Sequence, residues 1–172
     1  QVWYRVGSRN ELPGTTGLSH MLEHMMFKGT SRNGPEEYSR IIAQNGGNEN
    51  AFTGDDATTY FATLASDRIG VEVELEADRM RNLVLSEQLF EPERKVVMEE
   101  RRMRTDNNPI SFMFESLGAA TFLEHPYRQP VIGWPTDIEG WKLADLRSHY
   151  DTYYQPNNAF LVAVGDFDAQ QL

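Results

Sequence analysis

Apolar and polar positions alternate between two periods along this chain. Val2 to Val6 is a short apolar run that reads as a strand, closed by a polar turn from Gly7 to Gly14. Leu18, Met21, Leu22, Met25 and Met26 then recur at helical spacing. Thr15 or Thr16 is placed to cap that helix, which runs to about Lys28 before Gly29 stops it. Pro35 opens a second helix with Glu36 and Glu37 in its first turn and Ile41 and Ile42 on its buried side; Asn45-Gly46-Gly47 breaks it. Asn48 to Thr53 and Ala57 to Ala65 read as a hairpin around Gly54-Asp55-Asp56. Ser66 is placed to cap a long helix to about Asn82, and Pro92 to start another that ends near Asp106 to Pro109. A further helix covers about Ser111 to Leu123, a proline-rich loop Glu124 to Pro135, and a last helix Trp141 to Tyr153. Ala159 to Val164 is a short buried strand closed by Gly165. Helices clustered between hairpin strands predict an α+β layer, a mainly antiparallel sheet with helices packed on it.

Composition narrows the classes. The 172 residues suffice for one domain with a real core, and no internal repeat or low-complexity linker interrupts them. No apolar run approaches the roughly 18 residues that a membrane-crossing helix needs. The chain enters its first strand from Gln1 without an initiator Met, so the N-terminus is expected to be a cut. A formal net charge of −10 makes nucleic acid a poor partner and weakly favours basic or neutral ligands. The absence of cysteine excludes disulfides, thiolate metal sites and cysteine nucleophiles, and leaves the compartment open.

The chemistry gathers at His20-Met21-Leu22-Glu23-His24. At about 100° per residue, His20, Glu23, His24 and Phe27 share the face opposite the apolar one. Two imidazoles four residues apart can converge on one cation, and Glu23 beside them can take a proton from a water activated by the metal. Taken alone, the five residues fit a solvated helix surface about as well. A second helix shifts the balance. Glu93, Val96, Val97, Glu100, Met103 and Arg104 fall on one stripe, and a carboxylate at Glu100 amid apolar neighbours needs a strong partner. Glu99 points away toward Lys95 and Arg102 and reads as solvated. His20, His24 and Glu100 then form a two-histidine, one-carboxylate set for Zn²⁺ with a fourth position open, as in catalytic rather than structural sites. Glu23 and Glu93 are the candidate catalytic carboxylates: Glu23 as the base, Glu93 either buttressing a ligand histidine or serving as a carboxylate at a helix N-terminus.

These residues resemble the inverted zinc motif of the pitrilysin and insulinase family, the M16 inverzincins. Gly17-Leu18-Ser19-His20, Phe27-Lys28-Gly29-Thr30, Asn50-Ala51-Phe52-Thr53, Thr58-Thr59-Tyr60-Phe61, the Glu93 to Glu100 helix, His125-Pro126-Tyr127, Ile132-Gly133 and Tyr154 to Asn158 are similar to family sequence, so the likeness runs over nearly the whole chain. Bacterial members similar to the mitochondrial processing peptidase are the nearest subgroup. The resemblance implies a LuxS/metalloenzyme-like α+β fold, with residues 1–172 forming most of an N-terminal zinc-bearing domain truncated at both ends. It implies a zinc metalloendopeptidase acting on unfolded or extended peptides. It places the ligands at His20, His24 and Glu100 and the base at Glu23. It also implies a peptide added as a strand beside Asn50, Ala51 and Phe52, with Phe27 and Phe52 lining the pocket for the side chain after the cut bond. Remaining M16 domains, in the same chain or a partner subunit, are implied partners, and a bacterial periplasm or cell envelope is the implied setting. The alternative is a non-catalytic peptide-binding or assembly subunit, against which the intact Glu23 counts. By residue type alone, Phe27 and Phe52 fit a core better.

Overall fold

The computed structural model describes residues 1–168 and 170. In chain order the elements are β1 (Val2–Tyr4), α1 (Leu18–Met25), α2 (Glu37–Gln44), β2 (Asn48–Thr53), β3 (Thr58–Thr63), α3 (Ile69–Asn82), α4 (Glu87–Arg101), α5 (Pro109–Thr121), α6 (Pro135–Gly140), α7 (Leu143–Tyr153) and β4 (Ala159–Leu161). The strands form one antiparallel sheet in the order β2-β3-β1-β4. This is the α+β layer that the sequence predicts. No helix among the described residues is long and apolar enough to cross a membrane.

Alternation along the strands sets the two faces of the sheet. Val2, Tyr4 and Tyr60 are buried under the helices, while Trp3 packs on the other face between Phe52 and Phe160. The core under the sheet is built by Met21, Leu22, Met25 and Met26 of α1 and its C-terminal end, by Phe90 and Val97 of α4, and by Leu146 and Tyr150 of α7. The apolar face read from the sequence of α1 is therefore the buried one. Tyr60 and Tyr154 satisfy each other there, oxygen to oxygen at 2.8 Å.

Strand β2 is an edge strand. Gly54 N–H donates to Ala57 O at 2.9 Å across the turn, so Phe52–Thr59 and Asn50–Phe61 are the bonded pairs of the ladder. Ala51 and Thr53 consequently turn their backbone groups to the open edge. Ala51 N–H is met there by its neighbour's side chain, Asn50 Oδ1, at 2.9 Å.

Several local expectations change. The strand expected to be buried over Ala159 to Val164 ends at Leu161, and Phe160, Leu161 and Val164 are exposed. Pro92 lies inside α4 rather than opening it: Ser86, in extended backbone, sets the start and its carbonyl receives Leu89 and Phe90 N–H. The helix tolerates the one bond that Pro92 cannot make. After Arg101 the backbone relaxes into a π-helical turn, Arg102–Asp106, which shifts the phase of everything beyond. Val97 is buried, but Val96 and Met103 are exposed, so the stripe around Glu100 opens onto solvent. Finally, Pro135 opens the short helix α6 in what reads as loop and interhelix sequence, and Asp137 within it accepts from Thr16 Oγ1 at 2.7 Å.

Candidate metal centre

Helix α1 enters through Gly17, whose φ of +88° places it in the left-handed region. Neither Thr15 nor Thr16 caps it. The free N–H groups of Gly17 and Ser19 instead donate to the two carboxylate oxygens of buried Glu11, at 2.6 and 2.7 Å. Burial raises the Glu11 pKa to about 7, against the pull of those two donors. Gly17 also packs on Gly133 (φ +89°): a Cβ on Gly133 would meet Thr16 O at 2.5 Å. The loop before α6 thus clasps the start of the histidine helix.

Helix α4 crosses α1 and brings Glu100 to the two histidines. Glu100 Oε2 lies 3.2 Å from His24 Nε2 and 3.7 Å from His20 Nε2, and one ligand atom from each residue falls within 4.8 Å of the others. Ligands about 2.05 Å from a tetrahedral zinc are about 3.4 Å apart. The observed spacings straddle that edge length, so the donor set fits such an ion by size as well as by type. The other ring nitrogen of His24, Nδ1, lies 2.8 Å from Glu93 Oε1, and Lys28 Nζ lies 2.8 Å from Glu93 Oε2. Glu93 sits in the second turn of α4 because the helix begins at Glu87, so the N-terminal carboxylate reading falls and the buttress remains. Glu93 does not line the cleft; it reaches the candidate site from behind, through His24 and Lys28. His20 Nδ1 is buried with no partner.

Electrostatics separate the two imidazoles. Burial opposes a charge on His24, but the hydrogen bonds its ring donates to Glu100 and Glu93 outweigh it and raise the pKa to about 9. His20 is lowered to about 4, by burial and then by His24. The hydrogen bond from His24 leads in holding Glu100 below the usual carboxylate range, against the cost of burial. Arg104, four residues on in the π turn, adds an ion pair at 2.7 Å to Oε1. Burial raises Glu23, offset in part by a hydrogen bond from Thr53 Oγ1.

His20, Glu23 and Glu100 open onto a cleft of about 550 Å³ whose far wall is α5 and the segment from Tyr127 to Ile132. Ala51 and Phe52 line it from the open edge of β2; Asn50 does not. Phe27 is not there either. Helix α1 ends at Met25, so Phe27 leaves the helical phase that would aim it at the histidines. Its ring packs on Tyr38 and Tyr60 with the Arg79 guanidinium over it. Phe27 packs, partly buried, against the core here, and this structure gives no support to the expectation that it lines a substrate pocket.

Sequence reasoning missed Thr53, Lys28, Arg104 and Glu11. Three carried a readable signal: Lys28 is four residues past His24, Arg104 is four past Glu100, and Thr53 alternates with Ala51 on the strand. Glu11 carried none, because only the fold brings its loop to the start of α1. Of the other two histidines, His125 accepts Tyr127 N–H at the start of a short 3-10 turn, and His149 is buried against Ser19 Oγ at 3.0 Å.

Compared with known families, residues 1–134 match the insulinase family (Peptidase family M16), and residues 140–172 match the Peptidase M16 inactive domain. The zinc protease PqqE of Helicobacter pylori is 42% identical over 171 residues, covering 99% of this chain and 38% of that protein. The beta subunit of the mitochondrial-processing peptidase of Lentinula edodes is 32% identical over 171 residues, 99% of this chain and 36% of its own length. A crystal structure of a protease from Helicobacter pylori superposes with a TM-score of 0.97 at 42% identity, over 99% of this chain and 41% of that one. The chain spans well under half of each of these relatives.

Proposed function

Because this chain belongs to the insulinase family, Peptidase family M16, we propose that it carries the metal site of a zinc metalloendopeptidase acting on unfolded or extended peptides. The observation that carries this reading is the convergence of His20 Nε2, His24 Nε2 and one Glu100 oxygen at tetrahedral spacing on the floor of an open cleft. The naming of similar proteins as zinc proteases supports it. The chemistry supplied by zinc when bound is Lewis acidity, which brings the pKa of water near neutrality and offsets negative charge on a peptide carbonyl.

The chain's own residues do the rest. Glu93 keeps the His24 proton on Nδ1, leaving Nε2 as a donor. Arg104 occupies one oxygen of Glu100 and leaves the other facing the imidazoles. Glu23, raised by burial and steadied by Thr53, takes the proton of the attacking water and returns it to the leaving amine. Ala51 offers a small side chain and outward backbone groups, against which an extended peptide adds as another strand. That addition displaces the Asn50 side chain from Ala51 N–H.

In this reading residues 1–172 form most of a zinc-bearing domain, and further M16 domains, in the same chain or a partner subunit, enclose the peptide. The test uses the full-length protein. It should bind one zinc per site and cleave an unstructured peptide, with cleavage abolished by chelation and restored by zinc. Glu23→Gln should keep the zinc and lose turnover by at least about a hundredfold. Normal cleavage by that variant would refute the base, and failure to bind zinc would refute the site.

A further inference from the structure

The chain's charge of −10 is a poor guide to the cleft. Each carboxylate that lines it is already engaged. Arg101 holds Glu115 through two parallel hydrogen bonds, 2.8 and 2.9 Å. Arg104 and the histidines share Glu100, and Thr53 donates to Glu23. Just outside, Asp56 is taken by Arg9 at 2.8 Å and by the Tyr127 hydroxyl at 2.8 and 2.9 Å.

One cation of the cleft wall is left over. Arg128 makes no ion pair among the described residues, and its recorded hydrogen bond is from Nη1 to Leu123 O at 3.0 Å. It stands on a pinned turn: Pro126 fixes the first position, His125 accepts Tyr127 N–H, and Arg128 N–H returns to His125 O at 3.2 Å. Across the cleft lies the open edge of β2 with Ala51 and Phe52. A peptide laid along that edge sends alternate side chains into the cleft. A divalent cation held by His20, His24 and Glu100 would add further positive charge. The local field therefore runs opposite to that of the whole surface, and a guanidinium with free donors is suited to grip a carboxylate in two places.

We propose that the cleft selects peptides carrying an acidic side chain near the bond to be cut, and that Arg128 is the residue that recognises it. This rests on the peptidase reading and reverses the weak preference for basic ligands that net charge suggests.

The test uses the full-length protein and matched unstructured peptides with Glu, Gln or Lys at one position, scanned over the positions flanking the cleaved bond. Two quantities are read: kcat/KM in the zinc-loaded protein, and equilibrium binding by fluorescence anisotropy in Glu23→Gln. At one position Glu should exceed Gln by about tenfold in both, with the advantage shrinking as salt is raised. Arg128→Gln should bring the Glu-to-Gln ratio toward one, and Arg128→Glu should turn the preference to Lys, an inversion that a folding defect cannot produce. Equal handling of Glu and Gln at every position, or a preference that survives Arg128→Gln, overturns the proposal. Charge-blind cleavage would sink this inference and leave the peptidase reading standing. Arg128-dependent binding of acidic peptides without cleavage would do the reverse.

Discussion

His24 and Glu93 form a hydrogen-bonded pair, Nδ1 to Oε1 at 2.8 Å, that links the two helices of the candidate metal centre behind the proposed ligand atoms. The pair fixes which nitrogen of His24 faces Glu100. Glu93→Gln should therefore weaken zinc binding by about 10- to 100-fold without abolishing it, whereas Glu100→Gln removes a ligand and should cost more. Competition against a chelator of known affinity measures both. Unchanged affinity in Glu93→Gln would show that the buttress is idle.

Arg101 is buried beside Glu100 and holds Glu115 of α5 together with the Gly133 carbonyl, the latter at 2.8 Å. Removing one member of such a pair strands the other. Arg101→Met should destabilise the fold by about 3–5 kcal/mol, and adding Glu115→Met should recover a large part. Urea unfolding of the three variants decides this: strict additivity would mean that the pair is not coupled.

Gly133 and Gly14 both have positive φ but different surroundings. A Cβ on Gly133 runs into the backbone of Thr16 and Gly17, while one on Gly14 meets nothing within 4 Å. Gly14→Ala should cost about 1–2 kcal/mol of conformational strain, and Gly133→Ala distinctly more. Because Gly133 touches the entry of α1, the second variant should also bind zinc less tightly. Thermal unfolding with and without zinc separates the two effects.

Buried His149 titrates near pH 4 in the folded chain, because desolvation penalises its charged form. The unfolded chain, with an ordinary histidine pKa of about 6.5, binds more protons between those limits. Stability is thus lost as pH falls through that window, by about 2 kcal/mol between pH 7 and pH 5 from this group alone. Glu11, raised to about 7, acts in the opposite sense over an overlapping range, so the native curve is flattened. His149→Gln should remove the acid-side loss, visible as a rise of the urea midpoint at pH 5 relative to that at pH 7, compared with the parent protein. An unaltered difference would refute the assignment.

What could be read from sequence follows from range. The apolar face of α1, the β2–β3 hairpin and the i, i+4 histidine pair are local periodicities, and each takes its expected place in the structure. Glu100 was legible because a carboxylate on a partly apolar stripe demands a partner. Its stripe was only half right, since the π turn after Arg101 breaks the 100° arithmetic and exposes Met103. Phe27 leaves the face of the histidines for a similar reason, two residues past the point where α1 stops. Glu11, which reaches Gly17 and Ser19 across the turn before α1, and Arg128, which bonds to Leu123 O, lie in loop and turn backbone where no α-helical or strand period applies.

Helix α5 buries none of its residues, although Ile110, Phe112, Met113, Phe114 and Leu117 are all apolar. Its polar moorings are the Asn108 cap at its start and the Arg101–Glu115 bridge near its middle. Little water-excluding contact opposes its local opening, so its amides should exchange with deuterium sooner than those of α1 or α4. The wall of the cleft that faces the metal centre is then the softest helix around it, and any protein surface that covers those side chains would slow that exchange without touching a ligand of the metal.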